Sequence, residues 1–350
     1  MGDLRVIASS KNWIDYKAVE SLKNISNFDS VVKVVALPDL SVGTVPNGCA
    51  ILSKRVYPHF IGGDIGCGMS LFCSTVVSKK IKVDRFTKKL TKIDTIDSMD
   101  SLNLKYNLGT IGKGNHFAEL QIIDKVINKE WFEKLGLCKD RLYILVHSGS
   151  RAYGQKVFNK YSNYNPKVGL DESEVKGYLR EQNRAINFAK FSRETIAKRL
   201  FKSLGLNSNL ESICSQPHNS IEVDDSGLFL HRKGAVPTSR GVAIIAGSRG
   251  SLNYLVMPKR ESKEANYSIS HGAGRKWERN KAYKKLKSEY RKESFSVSEI
   301  GSKVVCKDAR LLYEEAPKAY KNIDIVIADL VDAGLIEVVA TFRPILTYKE

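Results

Sequence analysis

The sequence has no apolar run long enough to cross a membrane, and its first residues lack the hydrophobic region of a signal peptide. Val6 also stands where a myristoylation signal needs Ser or Thr. We therefore expect a cytoplasmic protein with no membrane partner. The hydrophobic fraction of 42% and the charged fraction of 27% are typical of a soluble globular protein.

Cysteine is scarce, with six among 350 residues, and no two of them form a CxxC pair. This pattern argues against both a disulfide framework and a zinc ribbon. Histidine is equally scarce, with six residues. The thiols are therefore expected to be reduced, and any histidine in an unusual setting becomes informative.

Acidic residues are also few: 38 Asp and Glu stand against 56 Lys and Arg, which gives a formal net charge of +18. Such an excess of positive charge points to a polyanionic partner. Nucleic acid is the first candidate and an anionic membrane surface the second. A surface that serves only solubility is the plain alternative.

Repeats, low-complexity tracts and clear linkers are absent, which predicts a single domain over residues 1–350. Apolar runs that lead into polar turns predict strands, at 31–37, 142–146, 242–246 and 336–340. Charged stretches without proline predict a surface helix, a long helix and a basic amphipathic helix, at about 77–96, 171–204 and 276–292.

Four of the six histidines stand in turns rich in Gly, Ser or Asn: His116, His147, His218 and His271. A glycine-rich turn at 61–69 adds Asp64 and Cys67. A carboxylate, a thiol and several imidazoles suit a transition metal such as Mn, Fe, Co or Zn better than Ca or Mg. For each residue alone, an ordinary turn residue is an equal alternative, and the spacing does not name the metal.

The stretch 270–275, Ser-His-Gly-Ala-Gly-Arg, is a candidate centre for phosphoryl transfer. Its small side chains let a phosphate approach the backbone. His271 offers a nucleophilic nitrogen, and Arg275 offers a forked donor for phosphate oxygens. A glycine-rich turn with a chance histidine is the alternative for this stretch.

Several motifs in the same order carry a resemblance to a known family. They are Asp64-Ile65-Gly66-Cys67-Gly68-Met69, Gly114-Asn115-His116-Phe117 with Glu119, His147-Ser148-Gly149-Ser150-Arg151, Pro217-His218-Asn219, His231-Arg232-Lys233-Gly234-Ala235, Gly247-Ser248 and His271-Gly272-Ala273-Gly274-Arg275. With these motifs the chain resembles the RtcB family of RNA ligases, from about Val31 to the C-terminus. The resemblance implies an α+β fold, with mixed β-sheets wrapped by helices around a central dimetal cleft.

The resemblance also implies an activity: joining RNA 3′-phosphate or 2′,3′-cyclic phosphate ends to 5′-hydroxyl ends, with GTP and two Mn²⁺ ions, in RNA repair or tRNA splicing. One metal would be held by Asp64, Cys67 and His116, and the other by Cys67, His147 and His218. The Cys67 thiolate would bridge the two ions, and His271 would carry GMP. An archease-like protein is a further partner that the resemblance allows.

The remaining site residues follow from the same motifs. Guanylate would be bound by Asn115, Glu119, Ser248, Asn253, Gly272, Ala273, Gly274, Tyr320 and Lys349. Glu119 would accept from the guanine edge, Tyr320 would stack on the base and Lys349 would contact it. Phosphate and RNA would be bound by Asp39, Arg151, Arg275 and Arg279.

The chain departs from the family pattern at several of these positions, and it resembles a shortened, divergent member. Leu40 and Ser41 replace a Val-His pair, so a family histidine is missing. Arg249 replaces the usual methionine, Asn253 a common serine, and Glu278 the serine before Arg279. These changes leave the expected metal ligands and nucleophile intact, and they affect the phosphate environment and the choice of substrate.

Two other functions remain open at this point. A dimetal phosphoesterase could use the same ligands to cleave cyclic phosphate ends, without being labelled by GTP. A non-catalytic RNA-binding paralogue could depend on the basic helix at 276–292 and on the overall charge.

Overall fold

Two mixed β-sheets form the framework of the molecule. The structure is a computed structural model that describes residues 2–96 and 105–350. Its strands are β1 (Asp3–Val6), β2 (Val31–Ser41), β3 (Asn47–Ser53), β4 (Gly68–Val77), β5 (Phe117–Val126), β6 (Arg141–Ser148), β7 (Leu210–Pro217), β8 (Asn219–Val223), β9 (Phe229–Lys233), β10 (Ala235–Pro237), β11 (Ala243–Ile245), β12 (Asn253–Pro258), β13 (Ser268–Ser270), β14 (Lys303–Cys306) and β15 (Ile336–Lys349).

Helices cover these sheets. They are α1 (Tyr16–Ser26), α2 (Pro58–Ile61), α3 (Val83–Lys92), α4 (Lys129–Lys134), α5 (Arg151–Lys160), α6 (Glu172–Leu204), α7 (Arg279–Glu289), α8 (Ala309–Glu314) and α9 (Ile323–Asp332). None of the helices in the described ranges is long and apolar enough to span a bilayer.

The larger sheet has the order β11-β12-β15-β5-β6-β4-β7, with β14 paired to β15 in parallel. The smaller sheet has the order β1-β2-β3-β9-β8, and β10 pairs with β13. This mixture of sheets and packed helices confirms the expected α+β class. The prediction of one domain over residues 1–350 stays a prediction.

The predicted elements are present, with shifted ends. The long helix begins at Glu172 and ends at Leu204, where Gly205 takes a left-handed conformation. The predicted strand 31–37 continues through Pro38 to Ser41, because the register of β2 against β3 shifts between Ala36 and Ser41 and needs no ladder bond from the proline.

The other differences in length follow from local packing. The surface helix predicted at about 77–96 is confined to α3, which buries Phe86 and Leu90 against the larger sheet. The basic helix predicted at 276–292 is confined to α7. The last strand, predicted at 336–340, continues to Lys349 because it pairs with both β5 and β14.

Helix α6 lies close against the larger sheet at the end where the candidate site residues collect. Gly66 has a φ of +71°, and a Cβ built on it would lie 2.7 Å from the Cα of Ile186 on α6. Glycine is therefore required at this contact. The turn that leads into β4 is pressed directly onto the helix.

A buried arginine on α6 joins the strand ends to each other. The guanidinium of Arg193, 1% exposed, donates to the carbonyl oxygens of Gly66 and Ser148 at 3.1 and 2.9 Å, and to the hydroxyls of Ser70 and Ser215 at 2.7 and 3.2 Å. Gly66 lies in the turn before β4, Ser148 on β6, Ser70 on β4 and Ser215 on β7. One side chain thus fixes three neighbouring strands.

Replacing Arg193 by methionine should destabilise the protein by about 3 kcal/mol, because the substitution removes a donor from two buried carbonyl oxygens and leaves the Ser70 and Ser215 hydroxyls with only their bond to each other. Urea unfolding measures the free energy of unfolding. Arg184→Met is the matched control, since Arg184 is exposed on the same helix. Equal stability of the two variants would contradict this assignment for Arg193.

Candidate metal and nucleotide cleft

The ends of four adjacent strands bring the candidate metal ligands together. Cys67 directly precedes β4, His116 directly precedes β5, His147 is the second-last residue of β6, and His218 directly follows β7. Because β5, β6, β4 and β7 are consecutive antiparallel neighbours in the sheet, these ends lie at one edge. The bond from the His218 N–H to the Cys67 carbonyl, 2.7 Å long, closes the group.

The side chains of these residues are in direct contact. The Cys67 Sγ lies 3.4 Å from the His116 Nε2 and 3.3 Å from the His147 Nε2. The His147 Nε2 lies 3.3 Å from the His218 Nε2, and the His116 Nε2 lies 3.1 Å from the Asp64 Oδ2. The structure therefore places all five predicted metal ligands in one continuous cluster.

Burial sets the protonation of this cluster. It lowers the pKa values of His147 and His218 well below their ordinary value, so both rings are neutral near pH 7. It raises the pKa of the Cys67 thiol well above its ordinary value, and the nearby Asp64 adds to that rise. Burial alone would raise the pKa of Asp64, but its interactions with His116, Cys67 and His147 together outweigh burial and hold that pKa at about 2.

These donors fit a bound metal ion. The ligand atoms of Cys67, His116 and His147 all lie within 4.8 Å of one another and are buried. Within the described residues, the Nδ1 atoms of His116 and His218 are buried without a hydrogen-bond partner, so the cluster is not a self-sufficient hydrogen-bonded network. In His147 the Nδ1 faces the Asn115 carbonyl at 3.1 Å, which leaves Nε2 as the coordinating nitrogen.

The histidine of the phosphoryl-transfer motif lies beside this cluster. His271 follows β13, and its ring centroid is 4.5 Å from that of His218. Its Nδ1 lies 2.7 Å from the Asp39 Oδ2, and its backbone N–H donates to the same oxygen at 3.2 Å. With Nδ1–H donated to a carboxylate, Nε2 keeps the free lone pair.

Asp39 takes a different place from the one expected. The sequence groups it with the phosphate and RNA contacts, but its side chain is fully buried beneath His271 and its other oxygen has no partner within the described residues. The backbone of Gly274, at φ +71°, passes so close that a Cβ there would lie 2.2 Å from the Asp39 carbonyl oxygen. We therefore assign Asp39 to holding the histidine rather than to an external phosphate.

A cleft of about 600 Å³ opens in front of both groups. Most of the residues predicted to bind guanylate line it: Asn115, Glu119, Ser248, Gly272, Ala273, Gly274, Tyr320 and Lys349. Arg275 and Arg279 line it as well. Four of the five candidate metal ligands, all except His116, thus share this space with most of the candidate nucleotide contacts.

Glu119 and Lys349 form the buried floor of the cleft. Glu119 accepts from the Thr347 hydroxyl at 2.5 Å and from the Gln121 amide at 2.6 Å, and burial raises its pKa to about 7. The Lys349 ammonium donates to the His116 carbonyl oxygen at 2.8 Å. Burial lowers the pKa of Lys349. The C-terminal strand β15 carries both Thr347 and Lys349 into this position.

A network of charged and aromatic groups forms the opposite wall. The buried Glu315 accepts from Arg275 at 3.1 Å and from Arg279 at 3.2 Å, and it is hydrogen-bonded to the Tyr320 hydroxyl. The guanidinium of Arg275 lies 5.0 Å from the centre of the Tyr320 ring. Burial raises the pKa of Glu315, but the cations Lys349, Arg275 and Arg279 outweigh it and lower that pKa below the ordinary value.

Besides Asp39, two predicted contact residues do not line the cleft. Arg151 donates from Nε to the Thr110 hydroxyl at 3.2 Å, and its guanidinium packs against Gly112. Asn253 is 1% exposed and accepts from the Gly247 N–H at 2.9 Å, which supports the turn that carries Ser248. Both therefore shape loops behind the cleft surface.

The other departures from the family pattern lie at or near the cleft. Ser41 lines it, in place of the missing histidine. Arg249 also lines it, with Nη2 donating to the Leu312 carbonyl at 2.5 Å. Glu278 is exposed and precedes the first residue of α7.

Sequence reasoning gave no role to three residues of this site. Glu315 joins the arginines of the wall, the half-buried Lys233 donates to the Ile61 carbonyl at 2.8 Å, and His59 lines the outer cleft. The His59 Nδ1 lies 2.6 Å from the Tyr164 hydroxyl, and burial lowers its pKa to about 4. Lys233 lies within a quoted motif, whereas nothing in their local sequence distinguishes Glu315 or His59.

The fold and the cleft define a class of protein: an α+β protein in which a buried Cys/His cluster able to hold a metal adjoins an anchored histidine and a polar, partly cationic pocket. Comparison with known proteins names the family. The model of the family described as tRNA-splicing ligase RtcB matches residues 94–350. The chain belongs to the RtcB family.

Individual relatives agree with this assignment. The RNA-splicing ligase RtcB2 of Escherichia coli is 38% identical over 98% of this chain and 94% of its own length. The tRNA-splicing ligase RtcB of Nanoarchaeum equitans is 27% identical over 99% of this chain and 95% of its own length. That of Thermococcus kodakarensis is 29% identical over 68% of this chain and 58% of its own length.

Titration with Co²⁺ should produce a thiolate charge-transfer band in the near ultraviolet that Cys67→Ser abolishes, because the Cys67 sulfur is the soft ligand of the cluster. The raised pKa of the thiol means that a proton must leave on binding, so the affinity should rise with pH. Absorbance titrations at several pH values measure both effects. Cys73→Ser is the control, since Cys73 is half-buried and does not line the cleft, and a band retained in Cys67→Ser would contradict the assignment.

Proposed function

We propose that the protein is an RNA ligase that joins RNA 3′-phosphate or 2′,3′-cyclic phosphate ends to 5′-hydroxyl ends, using GTP and two Mn²⁺ ions. The single observation that carries this proposal is the anchored His271, whose Nδ1 is held by Asp39 while the ring lines the cleft beside the Cys/His cluster. A dimetal phosphoesterase that attacks with a metal-activated water has no need for a histidine presented in this way as a nucleophile.

The metal ions would be held by the cluster at the strand ends. Asp64, Cys67 and His116 suit one ion, and Cys67, His147 and His218 suit the other, with the sulfur shared. When bound, the ions would neutralise phosphate charge and stabilise the transition states of phosphoryl transfer. Mn²⁺ is favoured by the family resemblance, and the mixed O, N and S donors are compatible with it.

His271 would act as the nucleophile. Its Nε2 would attack the α-phosphorus of GTP, forming a P–N bond as the bond to the β-phosphate breaks and pyrophosphate leaves. Asp39 would hold the ring in place and stabilise the positive charge that develops on it. An oxygen of the RNA 3′-phosphate would then attack the same phosphorus, releasing the histidine. The 5′-hydroxyl of the second RNA would finally displace GMP.

The nucleotide would be held by the floor and wall of the cleft. Glu119 has carboxylate oxygens that can accept from the N–H groups of guanine, and Lys349 supplies a donor beside it. Tyr320 offers a ring for stacking, and Arg275 and Arg279 supply positive charge for phosphates. Ser248 and Asn115 add polar groups to the lining of this space.

The biological setting proposed for this activity is RNA repair or tRNA splicing in the cytoplasm. The names of the relatives support splicing, while Ser41 and Arg249 change the cleft surface and favour a distinct RNA substrate. Dependence on an archease-like activator stays a prediction from the family resemblance. Ligation assays with less ligase than RNA, run with and without an archease-like protein, measure whether multiple turnovers need the activator.

Incubation with α-labelled GTP and Mn²⁺ should attach an acid-labile label to the protein, and His271→Ala should abolish it because no other group replaces the nucleophile. Addition of RNA with a 3′-phosphate should move the label to the RNA, and a 5′-hydroxyl strand should release it as GMP. Denaturing electrophoresis follows each step. His59→Ala serves as a control histidine at the cleft edge, and an unlabelled wild-type protein that contains metal would refute the proposal.

Asp39→Asn should slow the labelling of His271 by about 10²-fold while leaving the dissociation constant for GTP nearly unchanged, because the amide keeps the shape but not the charge that orients and stabilises the ring. Single-turnover labelling over a range of GTP concentrations separates the rate from the binding. A loss confined to GTP affinity would instead assign Asp39 to nucleotide contact.

A further inference from the structure

The segment 276–292 forms a dense strip of positive charge at the mouth of the cleft, hereafter the basic strip. It contains eight Lys and Arg residues and two Glu residues, a net formal charge of +6. All eight cations are exposed: Lys276, Arg279, Lys281, Lys284, Lys285, Lys287, Arg291 and Lys292. Such a concentration of positive charge on one helix and its flanks attracts polyanions.

The basic strip has a fixed shape because one face of α7 is packed. Ala282 and Leu286 are buried, and Leu286 lies in a cluster with Tyr313 and Ala316 that Trp277, Tyr283, Tyr290 and Phe295 complete. The cations occupy the remaining, exposed surface of the helix and its flanks. The helix of 11 residues is about 16 Å long, so it presents an extended row of charge rather than a point.

Aromatic rings restrain several of these cations. The Lys285 ammonium lies 4.3 Å from the centre of the Trp277 ring, and the Lys287 ammonium lies 5.1 Å from that of Tyr283. Within residues 2–96 and 105–350, Lys281, Lys284 and Lys285 form no ion pair with a carboxylate. Their charges are therefore available to an external anion, and interleaved half-buried rings are suited to a chain that carries bases.

One end of the basic strip enters the cleft. Arg279, the first residue of α7, lines the cleft, donates to Glu315 and lies 3.5 Å from the Asn115 side-chain oxygen. The rest of α7 leads away from this point along the surface. The row of charge is therefore continuous with the pocket proposed for the reacting ends.

We propose that the basic strip binds the backbone of a single RNA strand that leaves the cleft, and that it extends the substrate contact beyond the terminal nucleotides. The inference rests on the proposed function, since it places the end of the same RNA in the cleft. The positive charge of the basic strip is complementary to a nucleic acid strand. The lysines in a row along α7 would contact successive phosphates of that strand.

The test compares two triple variants that remove equal charge. Lys281, Lys284 and Lys285 become Gln in the first, and the exposed Arg85, Lys88 and Lys92 on α3 become Gln in the second. Glutamine favours helix, so both helices are expected to form. Fluorescence anisotropy without GTP measures binding of RNAs of about 12 and about 4 nucleotides that carry a 3′-phosphate.

The α7 variant should bind the longer RNA about tenfold more weakly, with the slope of log affinity against log salt reduced by about 2, as expected for the loss of three phosphate contacts. Its binding of the shorter RNA and its labelling by GTP should match the wild type. The α3 variant should bind both RNAs like the wild type.

Equal weakening by the two triple variants would overturn the inference, because it would assign the effect to net charge alone. Equal weakening for the short and the long RNA would overturn it as well. Absence of GTP labelling in the wild type tests the proposed ligase chemistry separately, and the length-dependent binding remains measurable in that case.

Discussion

The site depends on the register of β4 between β6 and β7. Met69 is paired with His147, and Gly68 with Pro217, so a shift of one residue in either pairing would separate Cys67 from one of its histidine neighbours. The guanidinium of Arg193 bonds to groups beside this register on three strands. A buried cation is costly unless its hydrogen bonds are satisfied, and here four acceptors satisfy it.

Burial of the ligand cluster has a second consequence. The imidazoles of His147 and His218 are buried and remain uncharged, as their lowered pKa values require. Neutral imidazoles are the form that coordinates a cation. Burial therefore keeps these two imidazoles in the form that can coordinate a metal.

The sequence predicted the local parts of this arrangement well. An apolar run predicted the strand that leads to His147, and a glycine-rich stretch predicted the turn at Asp64 and Cys67. Both features depend on residues that are close in the sequence. It did not predict the place of Asp39, whose partner His271 lies 232 residues away. The full length of β15 was also missed, since it depends on pairing with β5 and β14 rather than on its own residues.

The same limit applies to residues whose role comes from charge shared across distant segments. Glu315 has no distinctive local pattern, yet it joins Arg275 and Arg279 and is the main acceptor of the wall. Arg151 and Asn253 were expected at the ligand, but their hydrogen bonds are directed to loops behind it. A sequence motif identifies residues that belong to a site or lie near it. The packing of the loops then determines which of these residues line the cleft.

Arg249 joins the turn that carries Ser248 to the segments that hold Leu312 and Phe295. A methionine at this position could not donate the hydrogen bond on which this connection depends. The Arg249 Nη2 donates to the Leu312 carbonyl, and its guanidinium lies 5.4 Å from the centre of the Phe295 ring, within the aromatic cluster beneath α7. Its backbone adjoins Ser248 in the turn above the floor. A polar and an aromatic contact of Arg249 therefore join the turn that carries Ser248 to the aromatic cluster on which α7 packs.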